Sequence, residues 1–461
     1  MSSLRSPDVI AVRRTPLKPL LAKELRGILN GRALWTMLLI MCPIVGFSFF
    51  QAISLYGEAS ASASDQAALA SGLSPLDGIL VPTFGAFYVT VTLLFPFVAI
   101  RALGREKETG TLRLLVQLPY RTSTLIVAKA AAIAGAWLIA LIPAISALLF
   151  WRLLGGHLHA LETLNLLLGH LLYGLLIGAV ALFAAAITES AATAAIVTLA
   201  VTIGSWILDF ALAGQPGLAE WVSRLSLTQT LRPFEQGLFS LGLVLGGLAT
   251  IVGLAELATL WLHPGVPLRA KLVRSLVCAA ITGALVLLVA QLRITIDVTE
   301  DRRNSFPAAD QRALAALREP LVITVHLAPE DPRYVDLRRN VLSKLERVLP
   351  NVTIHLVASQ SFIGRSSDDS YGEIDYAYAG RTDKSRSTSH REILPLLYGL
   401  ARVPPPTPIA GEDYPGYPLV TNAALVLPWF FGALPLLIAL AWWWSRRAPR
   451  TGLPTCQGGE S

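Results

Sequence analysis

The chain has 461 residues, of which 53% are hydrophobic and only 15% charged, and its formal net charge is +7. Its apolar residues form continuous blocks of roughly 20, the length that crosses a hydrocarbon core. This composition excludes an ordinary soluble protein, and blocks that are unbroken rather than alternating exclude a transmembrane barrel. No stripe of basic residues interleaved with aromatics accompanies the positive charge, so nucleic acid is not an expected partner.

Eight apolar blocks predict eight membrane-spanning helices. They lie near 33–54, 80–103, 125–151, 164–187, 190–212, 238–261, 271–292 and 421–444. Lys and Arg are concentrated in alternate connections, which predicts that both chain ends are cytoplasmic and that residues 293–420 are periplasmic or extracellular. We therefore expect an α-helical polytopic protein of the inner (plasma) membrane. It has about eight transmembrane helices and a small α/β extracytoplasmic domain between the last two helices.

The basic N-terminal region precedes the first block. Residues 17–32 mix apolar and basic positions at helical spacing, which predicts a helix lying along the inner membrane interface. Lys23, Glu24 and Arg26 are its candidate functional residues. The alternative is a flanking basic cluster that only sets the orientation of the first span.

A densely charged loop follows the second block. It runs from Gly104 to Leu115 and reads Gly-Arg-Glu-Lys-Glu-Thr-Gly-Thr-Leu-Arg-Leu-Leu. Charges gathered between two apolar spans require water or a protein partner, and orientation alone does not need the Gly-Thr-Leu continuation. We predict that this loop is a docking surface for a motor subunit. Its residues are Arg105, Glu106, Lys107, Glu108, Gly110, Thr111 and Leu112, joined by Glu189 from the tight inner turn between spans four and five. For Glu189, a plain turn residue remains an open alternative.

Two acids lie in or near the later spans. Asp209 and Glu256 are candidates for a transport pathway because an ionisable residue inside a membrane is costly and usually functional. Simple access to water near a span end is the alternative. Between these acids, Leu218 to Phe239 has apolar residues at helical spacing, which predicts one or two short helices that dip into the outer leaflet.

Residues 293–400 have the composition of a soluble domain. Leu321 to Leu327 and residues 352–357 read as strands, and residues 336–349 between them have helical periodicity. This order predicts a parallel strand pair with a right-handed crossover. Residues 371–378 alternate as an exposed strand does.

The inner loop resembles a motif of the permease subunit of ABC-2 type transporters, in which six spans follow a basic interfacial segment. The matching residues are Glu106, Lys107, Gly110, Thr111, Leu112, Leu114, Leu115, Pro119, Arg121 and Lys129. Arg113 departs from the pattern, since the family often has an acid there. Residues 297–306, 321–327, 383–389 and 394–396 are similar to the outer domain of gliding-motility-type auxiliary ABC components, here shortened and fused behind the permease.

The resemblance implies the permease subunit of an exporter that is energised by a separate ABC ATPase. The sequence contains no Gly-Lys pair and therefore no Gly-x-x-x-x-Gly-Lys-Ser/Thr phosphate cradle, so ATP is expected to be bound by the partner and no cofactor by this chain. Other expected partners are membrane lipid, a second copy or a related permease, and a periplasmic protein. The alternative function is ATP-driven mechanotransmission or scaffolding that acts on a periplasmic partner without solute flux.

The predicted organisation has six parts. They are a cytoplasmic N-terminus with the interfacial helix (1–32), a six-helix permease core (33–261), an inner loop with span seven (262–292), the outer domain (293–420), span eight (421–444) and a cytoplasmic tail (445–461).

No catalytic or metal site is expected. His157 and His159 have no third ligand nearby in the sequence. Glu373 and Asp375 read as a solvated strand face rather than a pair of catalytic carboxylates, and a nucleophile elbow is missing from the sequence. A membrane-anchored enzyme is therefore disfavoured.

Overall fold

The computed structural model describes residues 17–63, 67–117, 121–211, 226–292, 294–328, 331–349, 351–357, 371–407 and 414–447. Within these residues, eight helices are long and apolar enough to cross a membrane. Spans one to eight are Arg32–Ala63, Leu76–Glu108, Thr122–Leu153, Ala160–Ile187, Ala191–Leu208, Leu241–Leu262, Leu268–Ala290 and Ala423–Arg447. The helix of span five continues to Ala211. The fold class predicted from the apolar blocks is confirmed.

Three spans are built from more than one helical segment. Span two comprises Leu76–Leu80, Val81–Ala99 and Arg101–Glu108; span three comprises Thr122–Ala140 and Ile142–Leu153; span eight comprises Ala423–Val426, Trp429–Ala433 and Leu434–Arg447. Prolines lie near these joints, for example Pro96, Pro143 and Pro428. Proline lacks the N–H that a helix interior requires and clashes with the preceding turn, which explains why each span is interrupted rather than regular.

The membrane core is centred on spans one to four. Its largest buried side chains include Trp137, Phe84, Phe87 and Phe95. Gly174 of span four lies directly against the Trp137 ring, where a Cβ atom would collide with the indole. Aromatic side chains of this size bury much apolar area, and the glycine lets the two helices approach closely enough to exclude voids.

Short helices flank the spans. They are the helices Leu17–Leu29, Ala67–Ala70, Thr111–Gln117 after span two, and Leu227–Glu235. The first was predicted to lie at the membrane interface, and we call it the interfacial helix. The helix Leu227–Glu235 lies within the segment predicted to dip into the outer leaflet, and Phe234 packs it against Gly169 of span four. Residues 218–225 of that predicted segment lie outside the described residues.

The region predicted to lie outside the membrane, which we call the outer domain, contains a four-stranded sheet with helices packed on it. The inner and outer ends of the spans take their names from the same predicted orientation. The strands are β3 (Leu321–Val325), β4 (Val352–Leu356), β5 (Ile374–Tyr378) and β6 (Arg381–Ser385), in the order β4-β3-β5-β6. β3 and β4 are parallel, as predicted, and the helical segments Pro332–Leu337, Arg338–Leu342 and Ser343–Val348 connect them. The remaining helices are Ala308–Ala315 and His390–Ala401.

The prediction that residues 371–378 form an exposed strand is wrong in part. β5 lies between β3 and β6, and Ile374, Tyr376 and Tyr378 are buried. Alternation reveals only that one face of a strand is apolar, and it does not tell whether the strand lies at an edge or inside the sheet.

A second, two-stranded sheet joins the membrane region to the outer domain. β1 (Leu238–Ser240) follows the helix Leu227–Glu235, and β2 (Thr295–Asp297) follows span seven. They pair antiparallel, with Leu238 opposite Asp297 and Ser240 opposite Thr295. The outer domain is therefore hydrogen-bonded to the membrane region at its first residues.

Candidate functional site

The charged inner loop forms a sharp elbow between two helices. We call residues 101–117 the elbow: the helix Arg101–Glu108 ends at Thr109, and the helix Thr111–Gln117 begins after Gly110. Gly110 has φ of +71°, and its N–H donates to the carbonyl of Lys107 at 3.1 Å. Glycine adopts this left-handed conformation without strain and commonly ends a helix in this way. The Gly-Thr part of the motif thus sets the bend.

A cluster of four charged residues, with a fully buried lysine at its centre, connects the elbow to two other elements. The cluster consists of Lys23 and Glu24 of the interfacial helix, Glu106 of the elbow and Lys129 of span three. Lys129 Nζ lies 2.9 Å from Glu24 Oε2 and 2.6 Å from Glu106 Oε2, and Lys23 Nζ lies 3.1 Å from Glu24 Oε1 and 2.7 Å from Glu106 Oε1. We call these four residues the inner ion cluster.

Burial makes this cluster structurally important. The Lys129 side chain is fully buried and Glu24 is 6% exposed, and Lys129 also donates to the carbonyl of Ala102 at 2.5 Å. Charges removed from water in this way require close partners of opposite sign. Burial alone lowers the pKa of the half-exposed Lys23, but hydrogen bonding and attraction to Glu106 and Glu24 outweigh it and raise that pKa above its usual range. Interfacial helix, elbow and span three are therefore held together as one unit.

Lys107 makes a second internal connection. Its Nζ donates to the carbonyls of Ala186 and Thr188, at 2.7 Å each, where span four ends. A cation is favoured there because the last carbonyls of a helix are unpaired and carry partial negative charge. Glu189 follows directly and is exposed. The structure thus brings the loop after span two and the turn after span four together.

The predicted docking residues divide into two groups. Arg105, Glu108, Gly110, Thr111 and Glu189 are exposed, whereas Glu106 and Lys107 are partly buried in the contacts just described. Leu112 packs against an apolar cluster that contains Leu20 and Leu125. Of the interfacial residues, Arg26 is exposed and Glu24 is buried. The sequence analysis gave Lys129 no structural role. Its position inside an apolar block was the feature that indicated a buried, paired lysine.

A second polar site lies at the outer ends of the spans, where residues 297–305 form a loop wound around one carboxylate. Asp297 Oδ1 accepts hydrogen bonds from the Thr299 N–H and hydroxyl, and Oδ2 accepts from the Asn304 N–H at 3.0 Å and the Ser305 hydroxyl at 2.6 Å. We call residues 297–305 the root loop. These four hydrogen bonds fix its shape, so that its remaining side chains point in defined directions.

The root loop contacts two spans and the turn before one of them. Arg303 forms an ion pair with Asp77 at the outer end of span two. The Glu300 N–H donates to Glu162 Oε1 at the start of span four, at 2.5 Å. Glu300 Oε2 lies 2.8 Å from His157 Nε2 in the turn between spans three and four. His157, weighed earlier as a metal ligand, therefore joins the root loop to the membrane region.

The segment that leads from the outer domain to span eight also contacts the root loop. The Tyr417 hydroxyl donates to Glu300 Oε1 at 2.5 Å, and its ring stacks on His157 with centroids 3.7 Å apart. This hydrogen bond to a carboxylate raises the pKa of Tyr417 to about 12. The Tyr417 N–H donates to the carbonyl of Leu73, and the Leu419 N–H donates to Ser60. Both ends of the outer domain are thus bound to the same group of spans.

Of the two predicted pathway acids, Glu256 is the one whose side chain the structure describes. The Asp209 side chain lies outside the described residues, and Glu256 is exposed in a groove between spans six and seven. A different acid is partly buried: Glu235 is 22% exposed, and its Oε1 lies 4.0 Å from the fully buried His170 of span four. Burial raises the pKa of Glu235 to about 7. Sequence reasoning missed this pair, although a histidine within span four signalled it.

The membrane region is similar to a known family of transport proteins. Residues 19–241 match the family described as ABC-2 family transporter protein, which is just under half of the chain and extends from the interfacial helix to β1. The match and the eight spans support a multi-pass membrane protein and a permease subunit of an ABC transporter. Searches of curated proteins and of solved structures found no significant match. The similarity of the outer domain to gliding-motility-type components stays a prediction.

Proposed function

We propose that this protein is the permease subunit of an ABC-2 type exporter, driven by a separate ATPase that binds the exposed face of the elbow. The inner ion cluster is the observation that supports the proposal best. It fastens the elbow to the interfacial helix and to span three, so a force on the elbow reaches three elements at once. A loop that only set orientation would not need a buried network of this kind.

The two groups of docking residues then have different tasks. Exposed Arg105, Glu108 and Thr111 supply polar contacts for the ATPase, and Leu114, which is 65% exposed, supplies an apolar one. The internal residues Glu106 and Lys107 pass the motion of the elbow to spans three and four. The ATPase is expected on the cytoplasmic side of the inner membrane, with the outer domain in the periplasm.

Charge reversal on the exposed face tests the proposal. The tagged protein is purified from its native membranes, and the co-purifying subunit with a phosphate-cradle sequence is quantified together with ATP hydrolysis. Arg105→Glu combined with Glu108→Lys is expected to reduce its recovery by more than about tenfold, because charges placed against like charges oppose association. The matched control is Arg318→Glu with Glu319→Lys, two exposed charges of the outer domain. Equal recovery from both double variants, each eluting as a single folded species, would refute docking at the elbow.

A second function is favoured by one further observation. Span two contacts the root loop through Asp77 at its outer end, and Glu106 and Lys107 bind neighbouring elements at its inner end. Span four contacts the root loop through Glu162 at its outer end, and its last carbonyls accept hydrogen bonds from Lys107 at its inner end. Spans two and four thus each connect the elbow to the root loop. This arrangement supports ATP-driven mechanotransmission to a periplasmic partner, with no solute crossing.

Replacing residues 294–419 by a short Gly-Ser linker separates the two functions. Flux into inverted membrane vesicles is followed for solutes that stimulate ATP hydrolysis. ATP-dependent flux that survives the replacement supports export. ATP hydrolysis that continues while flux is undetectable in both proteins supports mechanotransmission. We further propose a dimer of two copies, or of one copy with a related permease, because six core spans are half of the usual pathway in the family.

A further inference from the structure

Spans six and seven form a hairpin at the edge of the described structure. A groove of about 770 Å³ runs between them and is lined mainly by apolar side chains. No residue of span seven, Leu268–Ala290, is buried within the described part of the chain. Its contacts in that part are mainly with span six, so most of its surface is open to lipid or to another protein.

Internal contacts fix how the two spans lie against each other. The Trp261 indole N–H donates to the Ser275 hydroxyl at 3.1 Å, and Lys271 Nζ donates to the carbonyl of Trp261 at 2.8 Å. Deeper in the membrane, Thr282 lies against the backbone of Gly253. The hairpin is therefore a defined surface with a fixed register.

Two opposite charges lie in this groove at the same depth. Glu256 is six residues before the end of span six at Leu262, and Arg274 is six residues after the start of span seven at Leu268. At 1.5 Å per residue, each lies about 9 Å from the inner end of its helix. Both side chains are exposed, and within the described residues neither has a hydrogen bond or an ion pair.

Lipid could cover the apolar walls of the groove, but it does not supply a partner for the Glu256 carboxylate. Acyl chains cover leucine and valine as well as protein does, so the apolar residues do not select an occupant. In a helix the Cα–Cβ bond tilts toward the N-terminus, which for Glu256 in span six points toward the bilayer centre, away from the headgroups. An ionised carboxylate there needs a cation from protein.

We propose that this groove is the interface with a second copy of the chain, in which Glu256 pairs with Arg274 of the partner subunit. A two-fold axis along the membrane normal brings residues of equal depth together, and an isologous interface repeats each contact twice. An acid and a base on one face at one depth satisfy that symmetry. This proposal gives the dimer of the proposed function its contact surface, and Glu256 becomes an interface residue instead of a pathway acid.

Complementary charge reversals test the pairing between copies. Glu256→Arg alone sets two arginines against each other, and Arg274→Glu alone sets two glutamates against each other; each is expected to reduce the dimer fraction more than about tenfold. When the two single variants are expressed together with different tags, every interfacial pair is again one acid and one base. Mixed dimers are then expected to recover to the wild-type level. Dimers are counted by photobleaching of single fluorescent chains in native-membrane nanodiscs.

The control is Arg269→Glu, an exposed charge on the same helix that is not part of the groove lining. The proposal is overturned if single variants dimerise like the wild type. It is also overturned if the dimer fraction recovers only when both substitutions are in one chain, because the pair is then intramolecular. A different protein cross-linked to the groove in wild-type samples would overturn it as well. ATPase recovery is measured in the same samples, so that loss of docking at the elbow is scored separately from loss of the dimer.

Discussion

Lys129 of span three and Glu106 of the elbow are joined by a buried contact of 2.6 Å between nitrogen and carboxylate oxygen. Glu24 reaches the same ammonium group from the interfacial helix, at 2.9 Å. Two acids thus share one fully buried cation. The interfacial helix, the elbow and span three therefore cannot separate without leaving unpaired charge in an apolar interior. Mutations at this cluster are expected to affect folding and coupling together.

The first prediction concerns the cation itself. Lys129→Met leaves Glu24 and Glu106 without their buried partner and is expected to lower stability by about 3–5 kcal/mol, the usual cost of breaking a buried ion pair from one side. Lys23→Met removes a cation that is 51% exposed, and a loss below about 1 kcal/mol is expected there. Denaturant unfolding in detergent measures both. Similar losses for the two variants would contradict the central position of Lys129.

The second prediction concerns the bend of the elbow. Gly110→Ala places a Cβ atom on a residue with positive φ, which costs about 1–2 kcal/mol, although open space surrounds the position. The turn is expected to shift, and ATPase recovery to fall, while spans and outer domain stay folded. Gly399→Ala is the control, because Gly399 lies inside the helix His390–Ala401 and alanine is favoured there by about 0.5–1 kcal/mol. Unchanged ATPase recovery with Gly110→Ala would show that the bend is dispensable.

The third prediction tests the root loop. A double-mutant cycle with Asp77→Asn and Arg303→Gln is expected to give a coupling energy of about 0.5–3 kcal/mol, since the two groups are in contact. Arg303→Gln is expected to have the larger single effect because it also loses Asp301, 2.8 Å away. Protease cleavage between the outer domain and span eight, followed by gel, reports loosening of the root. Strictly additive effects would mean that the pair does not hold the domain.

The fourth prediction concerns pH. The pKa of Glu235 is raised by burial from its ordinary value of 4.5 to about 7. The folded state therefore keeps this proton over a range in which the unfolded chain has lost it, and this favours the folded state at low pH. Stability is expected to fall as pH rises from about 4.5 through 7, and to level off above that.

Glu235→Gln mimics the protonated acid and is expected to flatten this part of the stability profile. Glu392→Gln, an exposed acid of the outer domain, serves as the control. Thermal unfolding in detergent between pH 5 and pH 8 measures the profiles. A wild-type profile that is parallel to that of Glu235→Gln would exclude Glu235 as its source.

The number of spans was predictable because each is a continuous apolar block, and the parallel strands were predictable because their period and the intervening helix are local patterns. The inner ion cluster was not predictable, because Glu24 and Lys129 are 105 residues apart in the chain and the sequence around a single charged residue does not indicate its partner. The pairing of β1 with β2 involves three residues on each side, too few for a periodic signal. Surface-exposed and internal charges of the elbow look alike in sequence, and only packing divides them.

The contact between Glu300 and Tyr417 places the two ends of the outer domain side by side. A segment that leaves and rejoins its host at one point can be gained or lost without stretching the helices around it. Chimeras that carry a foreign domain between Ser305 and Tyr417 are expected to insert and fold, because Glu300 and Tyr417 are then both kept.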